Sequence, residues 1–260
     1  MNDHLYQHYR SDELAVVDQF LDGLSYVDQT YAAYLTPFLS PRDQLILSQL
    51  VGRYDEISSQ AFGGYSGAER QRVLVYPQYF QAQVADFRIQ ALNLKFPSKF
   101  ANLSHGKILG TLMSTGIDRE MVGDIITDGD RWQVLCDDKM AQYFMTNVTK
   151  IANVGVTLEP ISFEEVLQSS ETWEDIQIIA SSTRLDTLIG KVYNFSRQRA
   201  KNMIQSGYVK VNFRQVDRPD IMMDIQDIVS VRQHGRFWIE AVDGVTKKDN
   251  IRLSIRKLIH

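Results

Sequence analysis

The sequence contains one cysteine, Cys136, among 260 residues, so it can form neither an intrachain disulfide nor a thiolate metal cage. It has no stretch of about 18 uncharged apolar residues, and its polar N-terminus lacks the apolar core of a signal peptide. Of its five histidines, only His4 and His8 have the i, i+4 spacing of helical metal ligands, and no third ligand accompanies them. These absences predict a cytoplasmic protein with no membrane span, no bound metal and no cofactor.

The charged residues are divided unevenly along the chain, whose length predicts two or three compact units. Residues 181–260 hold 15 Lys and Arg against 8 Asp and Glu, a net charge of +7. The other 180 residues hold 13 against 24, a net charge of −11. An acidic body joined to a basic domain indicates a nucleic-acid binder, although a solvated basic face would have the same charges.

Residues 1–75 are predicted to form a mainly helical N-terminal segment. Apolar residues recur at helical spacing until Pro37 and Pro41 interrupt the pattern, which then resumes over residues 42–54. A glycine-rich loop, Phe62-Gly-Gly-Tyr-Ser-Gly67, follows. It is not a phosphate-binding loop, because no Gly-Lys-Ser or Gly-Lys-Thr comes after it.

Residues 76–165 are predicted to form an α+β middle domain. The signals run strand 84–96, helix 104–116, strands 122–127 and 132–136, helix 140–151 and strand 154–160. This order is the split βαβ, or ferredoxin-like, arrangement that RNA-recognition-motif domains also use. The acidic stretch 166–180 is predicted to be a linker whose last residues, 176–180, could already be a strand.

Residues 181–260 are predicted to form two short helices on a small sheet. Apolar residues at helical spacing mark a first helix over Leu185–Val192. Ser196 is a cap for a second helix, and Gly207 ends that helix. Four strands with alternating apolar residues follow.

Several cations of this domain are predicted to lie on an exposed helix face and in a loop, where they could contact phosphates. Arg197 and Lys201 are four residues apart and therefore share one exposed helix face. Lys247 and Lys248 lie in the loop between the last two strands. Such point charges contact phosphates and release counterions when they do.

Four pieces of the basic domain resemble the RNA-binding domain of the ribosomal-protein-S-four type. They are Arg184-Leu-Asp, Ser196-Arg-x-x-Ala-Lys201, Ile204-x-x-Gly207-x-Val-x-Val-Asn212 and Asp227-Ile-x-Ser-Val231. In that family the two helices and the loop after them hold structured RNA. The RNA contacts that we expect are therefore Arg184, Ser196, Arg197, Lys201, Lys210 and Asn212, together with the nearby cations Arg214, Lys247 and Lys248. Many members have glycine where this chain has Phe213, so we expect a wider turn there.

Each of these contact residues also has a structural interpretation. Arg197 and Lys201 could be ordinary solvent-facing helix charges. Arg184 could form an ion pair with a nearby carboxylate, and Asn212 could serve turn chemistry alone.

The remaining motifs resemble the bacterial YlmH family over nearly the whole chain. They are Phe62-Gly-Gly-Tyr-x-x-Ala-Glu-Arg70, the run His105 to Ile125, Gly235-Arg-Phe237 and Thr246-Lys-Lys248. The resemblance implies a ribosome-associated factor that binds ribosomal RNA of the large subunit, with peptidyl-tRNA as a further partner, during rescue of stalled subunits. It also implies a link to cell division, and it implies no small-molecule substrate.

The run from residue 105 to 125 has two interpretations. In the structural one, Gly106 and Gly110 pack closely on the sheet, and a surface ion network joins Arg119 to Asp124 and its neighbours. In the functional one, His105, Lys107 and Arg119 contact RNA or a protein. Binding in the recognition-motif manner needs two or three stacking aromatics, and Trp132 is the only obvious one in this domain.

No catalytic constellation accompanies these motifs. Arg-Leu-Asp also surrounds the catalytic aspartate of pseudouridine synthases, but Asp186 belongs to the RNA-binding motif, and only 74 residues follow it. Cys136 has no neighbouring base in sequence, and no Gly-x-Ser-x-Gly elbow is present. We therefore predict a non-catalytic RNA-binding factor. The alternatives are a protein-interaction adaptor in cell division and an RNA-modifying enzyme of an unfamiliar type.

Overall fold

The computed structural model describes residues 6–7, 9–98, 101–168 and 172–259. The chain divides into two compact units, Met1–Ser170 and Glu171–His260. The pair His4 and His8 and residues 169–171 of the predicted linker lie outside the described residues.

The N-terminal part of the first unit contains a sheet that the sequence did not predict. Its elements are α1 (Leu14–Thr30), β1 (Tyr34–Leu39), α2 (Pro41–Val51), β2 (Ile57–Phe62) and β3 (Gln71–Pro77). The prediction of a mainly helical segment is wrong here, because the strands form an antiparallel sheet in the order β1-β3-β2. The central strand β3 is buried on both faces from Arg72 to Val75, so it lacks the alternation that marks a half-exposed strand.

The middle part of the first unit has the strand order of a ferredoxin-like domain. Its elements are β4 (Ile89–Lys95), α3 (His105–Ser114), β5 (Val122–Thr127), β6 (Trp132–Asp137), α4 (Asp138–Asn147), β7 (Lys150–Ile151), β8 (Val154–Gly155) and β9 (Thr157–Ile161). The four-stranded antiparallel sheet runs β5-β6-β4-β9, as in the split βαβ arrangement. The first strand starts later than expected, because Val84–Phe87 form a 3-10 turn. The expected last strand, 154–160, is divided between β8 and β9. The expected helix 140–151 ends at Asn147, and its predicted last residues form β7, which pairs with β8.

The glycines of α3 do not pack on the sheet, contrary to the structural interpretation of their spacing. Ile108 and Leu112 are the buried residues of this helix. Gly106 and Gly110 lie on its exposed side, where a Cβ atom would meet nothing within 4 Å. Bulky side chains four residues apart therefore make the contact with the sheet.

The N-terminal part covers one face of the four-stranded sheet. Helices α3 and α4 pack on one face through a cluster that includes Leu92 and Val134. On the other face, Phe38 and Leu74 of the N-terminal sheet share a buried cluster with Leu135. The approach is close: a Cβ atom on Gly123 would lie 2.7 Å from the Phe38 ring.

The second unit is a six-stranded antiparallel sheet with two helices on one face. Its elements are β10 (Thr172–Ala180), α5 (Leu185–Val192), α6 (Arg197–Gln205), β11 (Val209–Val211), β12 (Arg214–Gln215), β13 (Ile228–Val231), β14 (Gly235–Val245) and β15 (Ile251–Ile259). The strands are ordered β10-β15-β14-β13-β11-β12. Leu188 of α5 and Ile204 of α6 pack on Val229, Phe237 and other sheet residues in one buried cluster.

The predicted linker 166–180 is largely part of this second sheet. Strand β10 pairs with β15 in continuous register from Thr172↔Ile259 to Ala180↔Ile251. Acidic residues such as Glu174 and Asp175 project from an exposed edge strand, which explains why the stretch resembles a linker in composition.

The turn after β11 is tighter than expected. Asn212 and Phe213, with φ angles of 48° and 68°, form the two-residue turn of the β11-β12 hairpin. Positive φ at both positions is the geometry of a type I′ turn, which glycine or asparagine adopts readily. The expected widening at Phe213 is therefore wrong, because the phenylalanine accepts the left-handed conformation instead.

Candidate functional site

The starts of α5 and α6 are joined by a buried carboxylate. Asp186, in the first turn of α5, is fully buried. Arg184 donates two hydrogen bonds to it, from Nε to Oδ1 at 3.1 Å and from Nη2 to Oδ2 at 3.0 Å. Arg197, the first residue of α6, donates from Nε to Oδ2 at 3.4 Å. One carboxylate thus positions two arginines that belong to different helices.

The Asp186 carboxylate is ionised at neutral pH, because its pKa is lowered. Burial raises the pKa of Asp186, but the hydrogen bonds and charges of Arg184 and Arg197 outweigh that effect and hold the pKa below its usual value. The structural ion pair considered for Arg184 is therefore present. Since the side chain of Arg197 is still 66% exposed, a ligand can reach its guanidinium.

The exposed side of α6 is strongly basic. Arg197 and Lys201 lie on one flank of the helix and Arg199 on the other, because residues two apart do not share a helix face. Arg197 and Arg199 are exposed, and Lys201 is half-buried. Ser196 accepts a hydrogen bond from the backbone N–H of Arg199 at 3.2 Å, so its hydroxyl caps the helix. The sequence of this helix contains no Asp or Glu, and cations so arranged suit a phosphate chain.

The sequence prediction missed Arg199, Asn202 and Tyr208, which lie on the flank of α6 away from Arg197 and Lys201. The guanidinium of Arg199 lies 3.8 Å from the centroid of the Phe195 ring, and that of Arg232 lies 5.3 Å from the centroid of the Tyr208 ring. Arg199, Asn202 and Tyr208 line one shallow groove beside α6. Tyr208 is 44% exposed, and an exposed aromatic directly after a helix-ending glycine was the available signal.

Asn212 uses both polar atoms of its side chain inside the protein. Its Nδ2 donates to Oδ1 of the buried Asp227 at 2.7 Å, and its Oδ1 accepts from the backbone N–H of Ile228 at 3.0 Å. These bonds hold the β11-β12 turn against β13. The turn chemistry that was the alternative for Asn212 is thus present.

The other predicted contact residues do not share the surface of α6. Lys210 alternates with the buried Val209 and Val211, so it projects from the sheet face opposite the helices. Arg214 is exposed on the edge strand β12. Lys247 and Lys248 are exposed at the β14-β15 turn. The nine predicted residues are therefore distributed over at least three surfaces.

The motifs of the first unit meet around a carboxylate, Asp124. It accepts hydrogen bonds from the Tyr65 hydroxyl at 2.8 Å and from the backbone N–H groups of Glu69 and Arg70 at 2.7 and 3.1 Å. Arg119 donates to the backbone carbonyls of Val122 and Gly123. Burial, followed by the charge of Arg70, lowers the pKa of Arg119 to about 10. This network joins the glycine-rich loop to the sheet, and its side chains are half-buried or buried rather than exposed at the surface.

The recognition-motif mode of RNA binding is blocked in the first unit. That mode stacks bases on the open sheet face, but here Phe38 and Leu74 bury the face around Leu135. Trp132 packs on the opposite cluster, beside α3 and α4. His105 and Lys107 are exposed on α3.

Neither a metal cluster nor a membrane-spanning helix is found in the described part of the chain. Within ranges 9–98, 101–168 and 172–259, no group of three or more His, Cys, Asp or Glu residues could hold a metal ion. Over the same ranges, no helix has both the length and the apolar character that crossing a membrane requires.

Two family models and two curated proteins are similar to this chain. A family model described as "YlmH, N-terminal" matches residues 12–80, and one described as "Putative RNA-binding domain in YlmH" matches residues 82–165. The "Ribosome-associated protein quality control protein P2" of Bacillus subtilis strain 168 is 33% identical over 253 residues, 97% of this chain and 98% of that protein. The "Small ribosomal subunit protein uS4B" of Clostridium acetobutylicum is 34% identical over 71 residues, 27% of this chain and 37% of that protein.

A solved structure is also similar. The "Cell division protein ylmH from Streptococcus pneumoniae" is 33% identical and superposes with a TM-score of 0.55. The match covers 63% of this chain and 99% of that chain.

Proposed function

The chain belongs to the YlmH family, and from that premise we propose that it is a non-catalytic factor that binds ribosomal RNA of the large subunit next to tRNA. Its task is ribosome-associated quality control of stalled nascent chains in the cytoplasm, and peptidyl-tRNA is the second RNA within its reach. The name of one relative, a ribosome-associated quality control protein, supports the proposed task, and the partial likeness to a small-subunit ribosomal protein supports ribosomal RNA as the ligand.

The main support for the proposal is that Arg184 and Arg197 both donate hydrogen bonds to the buried carboxylate of Asp186. Asp186 orients Arg184 and Arg197 before any ligand arrives, so less side-chain entropy is lost on binding. A guanidinium offers a planar fork of donors that matches a phosphate group. Lys201 continues the positive surface one turn along α6 from Arg197, and Arg199 adds a positive charge on the other flank of the helix.

The contacts divide into those that attract phosphates and those that could touch bases. We assign phosphate contacts to Arg184, Arg197 and Lys201. Such contacts contribute to affinity but do not distinguish one RNA sequence from another. Tyr208, flanked by Arg232, is the residue of the α6 groove on which an unpaired base could stack. Ser196 supports the geometry of the α6 surface by capping the helix, and Asn212 holds the β11-β12 turn.

The test is the salt dependence of binding to purified large ribosomal subunits. The double variant Arg197→Ala with Lys201→Ala removes two cations that pair with phosphates, so the slope of log affinity against log salt should fall by roughly 0.7 to 0.9 for each cation removed. The double variant Arg53→Ala with Lys139→Ala removes the same charge from exposed positions in the first unit and should bind as the wild type does. Equal affinities and slopes for both double variants would refute the proposal.

A second measurement separates the proposal from the adaptor alternative. Ribosomal subunits recovered with the tagged protein should be lost after nuclease treatment if RNA is the contact. Nuclease-resistant recovery of division proteins, without ribosomal subunits, would favour the adaptor.

A further inference from the structure

We propose that the second unit has another RNA-binding surface, on the sheet face opposite α5 and α6, and that it takes single-stranded RNA. We call this face the outer face. It carries Trp173 and Asp175 on β10, Arg252, Ser254 and Arg256 on β15, Arg236 and Trp238 on β14, and Lys210 on β11. The proposal goes beyond the function assigned to the α6 surface and does not depend on it.

Alternation along the strands defines the outer face. Leu253 and Ile255 of β15 are buried under the helices, so the residues between and beside them, including Arg252 and Arg256, project the other way. Cross-strand pairing extends the assignment, because Arg256 lies opposite both Asp175 and Trp238. Residues directly opposite each other on neighbouring strands share a face.

Two tryptophans stack on this face between arginines. The ring centroids of Trp173 and Trp238 are 4.4 Å apart, with the planes tilted by 45°. The guanidinium of Arg236 lies 5.2 Å from the centroid of the Trp173 ring, and that of Arg256 lies 5.8 Å from the centroid of the Trp238 ring. Both indoles are only half-buried, so part of each remains open to a ligand. Aromatic and guanidinium surfaces of this kind are the groups on which unpaired bases stack.

The charges around the indoles favour a phosphate chain. One row across the sheet runs Lys210↔Ser230↔Arg236 and contains two cations and no carboxylate. A further cation, Arg252, is exposed on β15. The carboxylates of Asp175 and Glu240 lie 3.0 Å and 3.9 Å from Arg256 and offset its charge. The cations near the indoles can therefore contact the phosphates of a single-stranded RNA whose bases stack on the rings.

The composition of the face argues for RNA over a protein partner. The buried centre of a protein interface is a continuous apolar patch. Here, the apolar residues Leu258 and Ile228 lie directly opposite Trp173 and Trp238, and Ile228 is fully buried. Charged Arg256 lies opposite Trp238 on its other side. The indoles thus stand on a small apolar base beside charged groups, which suits bases, because a base has apolar faces and polar edges.

The test uses the indoles as their own reporters in the full-length chain. The chain has three tryptophans, so Trp132→Phe leaves only Trp173 and Trp238. Titration of this variant with an oligouridylate at low salt should quench its fluorescence saturably, and added salt should weaken the binding. Adding Trp238→Leu should weaken binding about tenfold, the effect of losing one stacked base, with Trp173 as the remaining reporter. Trp238→Phe should keep most of the affinity, because it keeps a ring.

The controls separate this surface from that of α6. Arg197→Ala with Lys201→Ala, in the Trp132→Phe background, should leave oligouridylate quenching unchanged even if binding to ribosomal subunits is lost. Arg252→Gln, at an exposed cation of the outer face, should weaken quenching but not the binding of structured RNA. Absence of saturable quenching, equal affinities for the Leu and Phe variants, or loss of quenching in the α6 variant would each overturn the proposal. The first of these results would leave a protein as the occupant of the face.

Discussion

The guanidinium of Arg72 on β3 lies 2.8 Å from the carboxylate of Asp137 at the end of β6, and both side chains are buried. The pair links the N-terminal sheet to the ferredoxin-like sheet. Arg72 also donates to the backbone carbonyl of Thr36, and Asp137 also caps α4 by accepting from the N–H of Lys139. The ion pair therefore joins four elements, β1, β3, β6 and α4, where the two sheets meet.

We expect Arg72→Met to destabilise the first unit by about 3–5 kcal/mol, because it leaves the Asp137 charge buried without its partner. The double variant with Asp137→Leu should be less destabilised than the sum of the single variants. Urea unfolding of the four proteins in this mutant cycle measures the coupling. Lys95→Ala, which breaks the exposed pair with Glu159, should change stability by less than about 1 kcal/mol. Additive effects in the cycle would contradict the role of the pair.

Gly123→Ala should destabilise the first unit by about 1–3 kcal/mol, because the new methyl group would collide with Phe38 and Leu135 where the sheets meet. Gly110→Ala is the matched control in α3. A Cβ there meets nothing within 4 Å, and alanine favours a helix interior over glycine by roughly 1 kcal/mol. The two variants should therefore shift the thermal midpoint in opposite directions. A stabilising Gly123→Ala would mean that the sheets can separate at no cost.

The stability of the second unit should depend on Asp186 through pH. The folded-state pKa of this carboxyl lies below its ordinary value of 3.8, so the unfolded chain binds a proton more readily in that range. The stabilisation is therefore complete above about pH 4 to 5 and is lost as pH falls through the folded pKa. The stability difference between wild type and Asp186→Asn should be constant near neutral pH and shrink in acid. Denaturant unfolding at several pH values measures it, and a difference that grows in acid would have the wrong sign.

Phe213→Gly should be more stable than Phe213→Ala by about 1 kcal/mol. Both changes remove the ring, but only glycine adopts the φ of 68° without steric cost. Fluorescence-detected unfolding in the Trp132→Phe background reports on the second unit alone, since Trp173 and Trp238 both belong to it. Equal stability of the two variants would show that the turn relaxes to another conformation.

Much of the second unit was predictable, because its signals are local. Ser196 caps α6, and Leu185, Leu188, Ile189 and Val192 form the buried stripe of α5, as their spacing indicates. The motif residues Arg184 and Arg197 do come together, but no sequence pattern indicated that Asp186 joins them. Their meeting depends on the turn between the helices, which spacing alone does not describe.

The surfaces were harder to predict than the elements. Lys210 and Arg197 both belong to the motif, yet they project from opposite sides of the second sheet. The pairing of Trp173 with Trp238 also depends on β10, a strand that composition had assigned to a linker. Which cations and aromatics share a surface depends on strand pairing between distant residues.

The amino-acid sequence by itself determined the family, the basic character of the C-terminal domain and most helix boundaries, because motifs, charge and caps depend on residues close together in the chain. Only the tertiary structure decided that the ferredoxin-like sheet is covered and that the cations of the second unit are divided between its two faces. The physical reason is distance along the chain: Arg72 and Asp137 are 65 residues apart, and they meet only once two sheets have packed together.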